Sequence, residues 1–388
     1  MSAFDEVLNS SLHELDARGL RRRLRVIEQI NGTRITIDGR EFQNFSSNDY
    51  LGLASHPALA EAMAEAGGRY GVGSTASRLI CGTTAEHANL EEELAEAKGT
   101  EASLVFSTGV AAATGAIPAL VGKEDVIILD KLAHACLIEG ARSSDATIRV
   151  FPHNDLAKLE SHLQWAQEKN QGHKGARVMI ITESVFSMDG DLAPLREIIE
   201  LKERYGAILF LDEAHAVGVR GYGAQGLAGE LGLSDRVEIQ MGTLGKALGV
   251  SGGYIAGSRT LIDFLINRAR SFIFSTAPSP AVAAAARAAL RIVQSEEGSR
   301  LRDKLHQNLT LLAAGLNLAA APESSIVPVI LGSEERALAE AAQLLEAGFF
   351  VPAIRYPTVS RNTSRLRITV SAAHEPEQIR DLSSTLKG

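Results

Sequence analysis

The sequence predicts an α/β fold: a large, doubly wound and mostly parallel sheet, followed by a smaller C-terminal α+β domain. From Glu101 onward, short apolar runs alternate with small-residue turns and helical segments, which is the pattern of parallel strands joined by crossover helices. Polar residues directly follow several of these runs, and ligands of such sheets bind at the carboxyl ends of the strands. The chain of 388 residues also exceeds what one hydrophobic core usually serves, so we expect a large domain and a smaller one.

The composition and net charge of the chain argue against several classes of protein. Hydrophobic residues make up 45% and charged residues 22% of the chain, as in ordinary globular proteins, and the net charge of -8 argues against nucleic-acid or membrane-surface binding. Cys81 and Cys136 form no C-x-x-C pair, so neither a disulfide framework nor a thiolate zinc site is supported. Residues 1–10 lack the apolar core of a signal peptide, and no apolar run reaches membrane-spanning length. We therefore expect a cytoplasmic protein whose partners are small molecules or proteins.

The N-terminal region is predicted to form a helical arm and a hairpin, which together occupy residues 1–45. Leucines at positions 8, 12 and 15 keep a helical spacing within residues 4–24. Strand-like residues then alternate around Asp38-Gly39, which is the strongest short hairpin signal. Arginines recur three to four positions apart on another side of the arm: Arg18, Arg21, Arg22 and Arg25.

Six apolar runs are predicted to be the strands of the large sheet, in a domain that we place at residues 46–285. They occupy residues 103–106, 126–129, 148–151, 178–182, 208–211 and 237–242. After Ser279-Pro280 the composition shifts to an alanine-rich helix at 281–294, and short strands follow at 326–331 and 366–370. The small C-terminal domain is therefore placed at residues 286–388.

A single lysine among small residues, Lys246, follows the last of these runs within Gly242-Thr-Leu-Gly-Lys-Ala-Leu-Gly249. Such a setting desolvates the amine and lowers its pKa toward nucleophilic competence, as Schiff-base chemistry requires. A phosphate-cradling loop, G-x-x-x-x-G-K-[ST], would need glycine at 240 and serine or threonine at 247, where the chain has Gln240 and Ala247. A glycine-rich turn with an exposed lysine remains the alternative.

The apolar run that begins at Ala207 ends in Asp212, which is followed by Glu213-Ala-His215. A carboxylate at the end of a buried strand is costly unless it meets a cation. Pyridoxal phosphate supplies such a cation in its pyridinium nitrogen, while a lysine on a neighbouring strand end holds its aldehyde. Asp212 and Lys246 fit this pair. A helix-capping Asp212 and a His215 bonded to backbone are the alternatives.

Other polar residues after strand ends fit the same ligand. The run at 103–106 leads into a helix that starts near Gly109 without bulky side chains, and its free N–H groups would bind a phosphate, with Thr243 as a second donor. His134 would lie flat on a pyridine ring, and Ser187 would hydrogen-bond a phenolic oxygen. Close helix–sheet packing at Gly109 and a structurally bonded His134 are the alternatives.

Two further patterns give only weak evidence for a ligand site. Asp189 and Asp191 precede Pro194 and are interpreted as turn and helix-start residues rather than Mg²⁺ ligands, because no third ligand accompanies them, so no metal site is predicted. Residues Gly221–Gly226 match G-x-G-x-x-G but do not lie between a strand and the helix that this strand feeds. Dinucleotide binding is therefore only a remote alternative.

Four motifs make the chain resemble the α-oxoamine synthases, which are pyridoxal-phosphate transferases of fold type I, over essentially its whole length. They are Asn44-Phe-Ser-Ser-Asn-Asp-Tyr-Leu-Gly52, Val185-Phe-Ser-Met-Asp-Gly-Asp191, Asp212-Glu-Ala-His215 and Gly242-Thr-Leu-Gly-Lys246. The resemblance implies a homodimer with its active sites at the subunit interface.

The resemblance also implies a role for each matching position. Lys246 would bind the cofactor aldehyde and act as the base, Asp212 would pair with the pyridinium nitrogen, and His134 would stack on the ring. The other implied cofactor contacts are His215 and Ser187 near the ring oxygen, Gly109, Val110 and Thr243 at the phosphate, and Ser275 and Thr276 at the phosphate of the partner subunit. The implied substrate contacts are Asn48 and Arg367 for the amino acid, and Arg21 and Thr358 for the acyl donor.

Motifs near the C-terminus favour one activity within the family. Ala353–Val359, Ser364–Thr369 and Ser371–His374 resemble members that condense L-alanine with a pimeloyl thioester in biotin biosynthesis, although Tyr356 stands where those members often have proline. The acyl carrier would be coenzyme A or acyl carrier protein. Both carry phosphate, and we expect the arginines of the arm to bind it, unless they form only a solvated helix face. Glycine C-acetyltransferase, 5-aminolevulinate synthase and a non-catalytic cofactor-binding regulator remain alternatives.

Overall fold

In the computed structural model, which describes residues 2–171 and 175–387, helices and strands alternate through the middle of the chain. The strands are β1 (Gln29–Asn31), β2 (Arg34–Ile37), β3 (Arg40–Asn44), β4 (Ala102–Phe106), β5 (Val126–Asp130), β6 (Thr147–Phe151), β7 (Val178–Glu183), β8 (Ile208–Asp212), β9 (Ile239–Thr243), β10 (Gly253–Gly257), β11 (Ile326–Gly332), β12 (Phe349–Phe350), β13 (Ala353–Ile354) and β14 (Ser364–Thr369).

The helices connect these strands and flank the sheets. They are α1 (Ala3–Ala17), α2 (Pro57–Tyr70), α3 (Ala85–Lys98), α4 (Gly109–Leu120), α5 (Ala135–Arg142), α6 (Leu156–Lys169), α7 (Leu195–Arg204), α8 (Gly226–Glu230), α9 (Arg259–Arg268), α10 (Arg270–Ile273), α11 (Pro280–Val293), α12 (Glu296–Leu316), α13 (Glu334–Glu346) and α14 (Pro376–Thr385). Short 3-10 or π-helical turns lie at Leu53–Ser55, Arg78–Gly82 and Ser234–Arg236.

The described residues form two compact units. The larger unit contains those of Asn48–Ser187 and Asp191–Lys304, and the smaller unit contains those of Met1–Ser47, Met188–Gly190 and Leu305–Gly388. The smaller unit therefore combines residues from both ends of the chain. The predicted domain limits, 1–45, 46–285 and 286–388, stay predictions.

The larger unit is built on a seven-stranded sheet in the order β4-β10-β9-β8-β7-β5-β6. The neighbouring strands from β9 to β6 are parallel, whereas β10 runs antiparallel to both of its neighbours. The predicted doubly wound, mostly parallel fold is confirmed, and each predicted strand of this sheet occurs within a few residues of its expected bounds. The carboxyl ends of β5, β7, β8 and β9 therefore lie at one edge of the sheet.

The sequence does not predict strand β10. Its residues begin and end with glycine, which is disfavoured in strands. The reason for the strand is tertiary: Tyr254 is fully buried and lies opposite Gly242 of β9. A Cβ atom at Gly242 would lie 2.4 Å from the Tyr254 ring, so this glycine makes room for the tyrosine.

Apolar side chains cover both faces of the large sheet. In β5, Ile127 and Leu129 belong to one core cluster, together with residues of α4, α5 and α9. Val126 and Ile128 belong to another cluster, together with residues of α6 and α7. Because successive strand residues point to opposite faces, helices pack on both sides of the sheet, as a doubly wound fold requires.

The smaller unit contains two small sheets. Strands β2 and β3 pair antiparallel around Asp38-Gly39, with Ile35 opposite Phe42, which confirms the predicted hairpin. Strand β12 joins this sheet parallel to β3. The second sheet has the order β11-β14-β13, and its central strand β14 carries Arg367.

Helix α1 is shorter than the helix expected within residues 4–24. It ends at Ala17, and Gly19 then takes a left-handed φ of 62°, as residues that follow a helix often do. Among the described residues, no helix has both the length and the apolar character needed to cross a membrane.

Candidate active site

The carboxyl ends of β7, β8 and β9 bring polar side chains together. Glu183 is the last residue of β7 and lies directly opposite Asp212, the last residue of β8. Both side chains are buried, with exposed fractions of 1% for Glu183 and 4% for Asp212. Lys246 follows β9 and lies close enough to Asp212 for their charges to interact. The two residues that the sequence predicts as a pair therefore meet at one edge of the large sheet.

Lys246 is connected to His215 and Tyr50 through hydrogen bonds. Its Nζ lies 2.7 Å from His215 Nε2, and His215 Nδ1 lies 2.6 Å from the Tyr50 hydroxyl oxygen. Tyr50 in turn donates to Asn48 Oδ1 at 3.2 Å, since an amide oxygen only accepts. His215 Nδ1–H then donates to Tyr50, and His215 Nε2 accepts from the Lys246 amine. This chain of bonds fixes the position of the amine, and it includes Asn48, which the sequence predicts as a substrate residue.

The Asp212 carboxylate lies in a setting that favours a cationic ligand. Burial raises its pKa, and the Lys246 ammonium acts in the opposite direction. One carboxylate oxygen, Oδ1, accepts the backbone N–H of Ala214 at 2.8 Å. A further positive charge beside this carboxylate would offset the cost of its burial.

His134 precedes helix α5 as its N-cap residue. Its Nδ1 accepts the backbone N–H of Cys136 at 3.2 Å, so Nε2 carries the proton of the neutral ring. The residue is exposed overall, yet the protein around it desolvates the imidazole and lowers its pKa, while the charge of Asp212 acts to raise it. A neutral, exposed imidazole is suited to stacking on a planar ligand.

Glu183 lies at a strand end, as the sequence indicates, but sequence reasoning assigns it no role. Its carboxyl group accepts the backbone N–H groups of His134 and Ser187, and so connects the two loops that carry these residues. Burial raises the pKa of Glu183 well above its usual range, and the charge of Asp212 adds to this effect. Ser187 itself is buried, as a contact to an enclosed ligand would require. The signal for Glu183 was present, because it ends a buried apolar run just as Asp212 does.

The N-terminus of α4 lies beside the end of β9, with its first backbone N–H groups not bonded within the helix. Thr108 caps this helix, and its Oγ1 accepts the N–H of Ala111 at 3.0 Å. A Cβ atom at Gly109 would lie 3.5 Å from Met241 Cε and 3.9 Å from the Thr243 side chain, so Gly109 packs beside Thr243. The first N–H groups of the helix and the positive end of its dipole favour an anion here. Two predicted phosphate ligands, Gly109 and Thr243, are therefore neighbours.

These residues fit pyridoxal phosphate. Lys246 would hold its aldehyde, Asp212 its pyridinium nitrogen, and the start of α4 its phosphate. Val110, the second residue of α4, has a side chain that is 48% exposed. The fit rests on the chemistry of the donor set, which combines an amine, a buried carboxylate and a helix N-terminus within one compact unit.

Comparison with known proteins identifies the family of this chain. Residues 40–386 match the family described as aminotransferase class I and II. The chain belongs to this family. One relative is the 8-amino-7-oxononanoate synthase of Geobacter sulfurreducens. It is 48% identical to this chain over 373 residues, which cover 95% of this chain and 94% of the relative.

Solved structures refine this assignment within the class I and II aminotransferase family. The serine palmitoyltransferase of S. paucimobilis, solved with a bound pyridoxal phosphate–myriocin aldimine, is 28% identical with a TM-score of 0.91, and the match covers 100% of this chain and 98% of that chain. The 8-amino-7-oxononanoate synthase of Francisella tularensis is 27% identical with a TM-score of 0.73, covering 89% of this chain and 98% of that chain. This aminotransferase-family member is therefore an α-oxoamine synthase of fold type I, an acyltransferase that uses pyridoxal phosphate.

The predicted acyl-donor residues of this α-oxoamine synthase, Arg21 of the arm and Thr358, both lie in the smaller unit. Arg21 Nη1 pairs with Asp16 Oδ2 at 2.6 Å, and its neighbour Arg22 reaches Thr358, where Nη2 donates to the hydroxyl oxygen at 3.2 Å. A cavity of about 960 Å³ in the same unit is lined by residues 21–25 of the arm and by residues 350–353 and 355. Arg22, which the sequence places only in the basic cluster, therefore makes the direct contact with Thr358.

Arg367, the predicted amino-acid ligand, lies on β14 with its side chain 8% exposed. Its Nη1 donates to the Thr369 hydroxyl oxygen at 2.9 Å. Arg365 lies two residues earlier on the same face of the strand, and its Nη1 binds Asp189 Oδ1 at 2.6 Å and the Met188 carbonyl oxygen at 3.1 Å. Asp189, interpreted from the sequence as a turn residue, is thus the carboxylate partner of Arg365.

Ser275 and Thr276 follow helix α10 in the larger unit. Thr276 is exposed and forms an isolated antiparallel bridge with Ser77. Their role at the phosphate of a partner subunit stays a prediction.

His153 lies between two carboxylates and connects Asp191, in the segment before α7, to Asp130 at the end of β5. His153 Nδ1 lies 3.1 Å from Asp130 Oδ1 at the end of β5, and Nε2 lies 2.7 Å from Asp191 Oδ2. Burial acts to lower the pKa of His153, but the hydrogen bonds to the two carboxylates prevail and raise it to about 10. Asp191 does not cap α7, whose N-cap residue is Pro194, so its interpretation as a helix-start residue is wrong.

Replacing His153 with glutamine is expected to destabilise the protein by about 1.5–3 kcal/mol, the range for hydrogen bonds to charged groups. The folded protein holds the His153 proton more tightly than the unfolded chain, so the contribution is complete below pH 6.5 and is lost as the pH rises through about 10. Thermal unfolding of both proteins across this range should show curves that converge at high pH. His162→Gln is the control, since His162 Nε2 donates to a neutral backbone carbonyl, that of Val150, at 3.3 Å rather than to a carboxylate. A pH-independent difference at His153 would contradict the prediction.

Proposed function

We propose that this α-oxoamine synthase condenses L-alanine with a pimeloyl thioester to give 8-amino-7-oxononanoate, carbon dioxide and the free thiol, a step of biotin biosynthesis. The observation that carries the proposal is the 48% identity to the 8-amino-7-oxononanoate synthase of Geobacter sulfurreducens over 95% of the chain. Seven further relatives of that name are 45% to 47% identical. The serine palmitoyltransferase of S. paucimobilis is less similar in sequence, at 28% identity.

The residues of the larger unit support this reaction. Pyridoxal phosphate, when bound, supplies an electron sink for negative charge at the alanine Cα. Lys246, whose Nζ lies 2.7 Å from His215 Nε2, is the base that takes the Cα proton. Asp212 keeps the ring nitrogen protonated, because that charge stabilises its buried carboxylate. His134, the N-cap residue of α5, would cover the ring of the bound cofactor and keep water from it.

The residues of the smaller unit provide the substrate contacts of the proposal. Arg367 binds the alanine carboxylate, since a guanidinium group pairs with a carboxylate through two parallel hydrogen bonds. Arg21, with its neighbour Arg22 and Thr358, binds the phosphorylated end of the acyl donor, either coenzyme A or acyl carrier protein. The basic cavity of about 960 Å³ that Arg21 and Arg22 help to line supports this role.

We infer that the enzyme is a homodimer. Large apolar side chains are exposed near the predicted ligands of the partner's phosphate: Phe274, next to Ser275, is 70% exposed and Ile80 is 79% exposed. Thr276 pairs with Ser77, close in sequence to Ile80. A second copy of the chain would cover these side chains and bring Ser275 and Thr276 to the other active site.

A panel of acyl thioesters tests the proposed substrates. Acetyl, succinyl, pimeloyl and palmitoyl thioesters are each combined with glycine, alanine and serine, and kcat/KM is measured for every pair. Alanine with the pimeloyl thioester is expected to exceed every other pair by at least about tenfold, the discrimination that one or two methylene groups provide. Fastest turnover with glycine and the acetyl thioester would instead assign a glycine C-acetyltransferase, with glycine and the succinyl thioester a 5-aminolevulinate synthase, and with serine and the palmitoyl thioester a serine palmitoyltransferase.

A further inference from the structure

A lysine and a glutamate form a buried ion pair in the larger unit that the proposed mechanism does not use. Lys98, the last residue of α3, donates from Nζ to Glu213 Oε2 and to the Gln225 carbonyl oxygen. Both charged side chains are 0% exposed. A buried ion pair is weak evidence for stability, because the cost of desolvation offsets the attraction. Its presence therefore needs another explanation.

Glu213 directly follows Asp212 in the chain. Its Oε1 accepts the N–H of Ala228 at 2.9 Å, and its own N–H donates to the Met241 carbonyl oxygen at 2.8 Å. Besides burial, the negative charge of Glu213 acts to raise the pKa of Asp212. An unpaired Glu213 would therefore work against the ionised Asp212 that a pyridinium nitrogen needs.

The glycine motif at Gly221–Gly226 packs directly against this ion pair. Gly226 has a left-handed φ of 75°, and a Cβ atom there would lie 2.6 Å from Glu213 Oε2. A Cβ atom at Gly221 would lie 2.8 Å from the Gly226 carbonyl oxygen. These glycines let the loop approach the Glu213 carboxylate, and Gln225, within the motif, accepts from Lys98. The group that this loop encloses is thus a carboxylate of the protein rather than a dinucleotide phosphate.

We propose that Lys98 is a positioning residue that keeps Asp212 ionised by cancelling the charge of Glu213. The proposal rests on the proposed role of Asp212 as the partner of the cofactor's ring nitrogen. Two carboxylates on adjacent residues at a buried strand end repel each other, and the Lys98 ammonium neutralises one of them. The titratable groups that face Asp212 are Glu183 on β7, Glu213 beside it, His134 before α5, Cys136 on α5, Lys246 after β9 and Tyr254 on β10.

Charge-neutral substitutions test this role through cofactor binding. Apoprotein is titrated with pyridoxal phosphate and Kd is measured for wild type, Lys98→Met, Glu213→Gln and the double variant. Lys98→Met is expected to weaken binding at least about tenfold, since it leaves a buried unpaired carboxylate beside Asp212. The double variant is expected to bind like Glu213→Gln, because no negative charge then remains for Lys98 to cancel. The Kd of Lys98→Met for pyridoxal phosphate should also decrease toward the wild-type value as the pH rises, because Asp212 then ionises again. A packing defect would not show this pH dependence.

Lys202→Met is the matched control for the loss of a buried lysine. Lys202 is 4% exposed, and its Nζ donates to Glu238 Oε1 at 2.6 Å and to the Arg236 carbonyl oxygen at 2.8 Å. This variant is expected to melt at a lower temperature with an unchanged Kd for pyridoxal phosphate.

Three outcomes would overturn the role of Lys98. The first is a Kd for Lys98→Met equal to that of wild type. The second is a weaker Kd for the double variant than for Glu213→Gln, which would mean that Lys98 acts through packing; this comparison holds even where Lys98→Met alone does not fold. The third is wild-type affinity of Asp212→Asn, which would also overturn the proposed role of Asp212. Weak binding by Asp212→Asn with normal binding by Lys98→Met would leave the proposed function intact and remove only Lys98 from it.

Discussion

Replacing Lys246 with alanine is expected to lower kcat/KM for alanine and the pimeloyl thioester by about 10⁴-fold or more. The substitution removes both the amine that holds the cofactor and the base that takes the Cα proton, and it leaves His215 Nε2 without its contact at 2.7 Å. Steady-state kinetics at saturating pyridoxal phosphate measure the loss. Borohydride reduction followed by peptide mapping should label Lys246 in the wild-type enzyme and no lysine in the variant.

Lys202→Ala is the matched control for Lys246→Ala. Both residues lie in the larger unit, but Lys202 binds Glu238 Oε1 at 2.6 Å and is not one of the predicted site residues. The control variant should lose stability while Lys246 still takes the borohydride label. A label on another lysine, or a Lys246→Ala enzyme within tenfold of wild type, would contradict the assignment of Lys246.

The parallel part of the large sheet could be predicted from the sequence because both of its faces are covered. Strands buried on two sides are apolar at nearly every position, so runs such as 178–182 stand out between helices. Strand β10 carries no such signal: it is short, it is bounded by glycine, and its place depends on Tyr254 fitting against Gly242. A contact between residues on different strands cannot be inferred from either segment alone.

The same distinction separates the site residues that were predictable from those that were not. Asp212 and Lys246 follow apolar runs directly, so their position at a strand end could be inferred from local sequence. Tyr50 lies in an irregular loop and meets His215 across 165 positions of the chain. Lys98 ends a helix, where a basic residue usually faces solvent, and its partner Glu213 is 115 positions away. Residues that act through a distant partner leave no local pattern to detect.

Arg365 and Arg367 provide an internal comparison for the amino-acid site. They lie on the same face of β14 and are buried to similar extents, with exposed fractions of 5% and 8%. Arg365 binds the carboxylate of Asp189 at 2.6 Å within the smaller unit, whereas the bond of Arg367 to Thr369 is to a neutral hydroxyl. Replacement by lysine keeps the charge at either position but removes the planar pair of donors. The two variants therefore separate damage to the strand from damage to the substrate contact.

Arg367→Lys is expected to raise the KM for alanine by about 30-fold or more, because lysine cannot form the two parallel hydrogen bonds, while the KM for the pimeloyl thioester changes little. Loss of a hydrogen-bonded partner from a buried charge pair costs about 2–5 kcal/mol, and about 1.4 kcal/mol corresponds to a tenfold change in affinity. Initial rates with varied alanine at saturating thioester measure the effect. Arg365→Lys should instead lower the melting temperature and leave the alanine KM within about threefold of wild type, because its guanidinium is bound to Asp189. Equal changes in the alanine KM for both variants would show that strand β14, and not the Arg367 guanidinium, governs amino-acid binding.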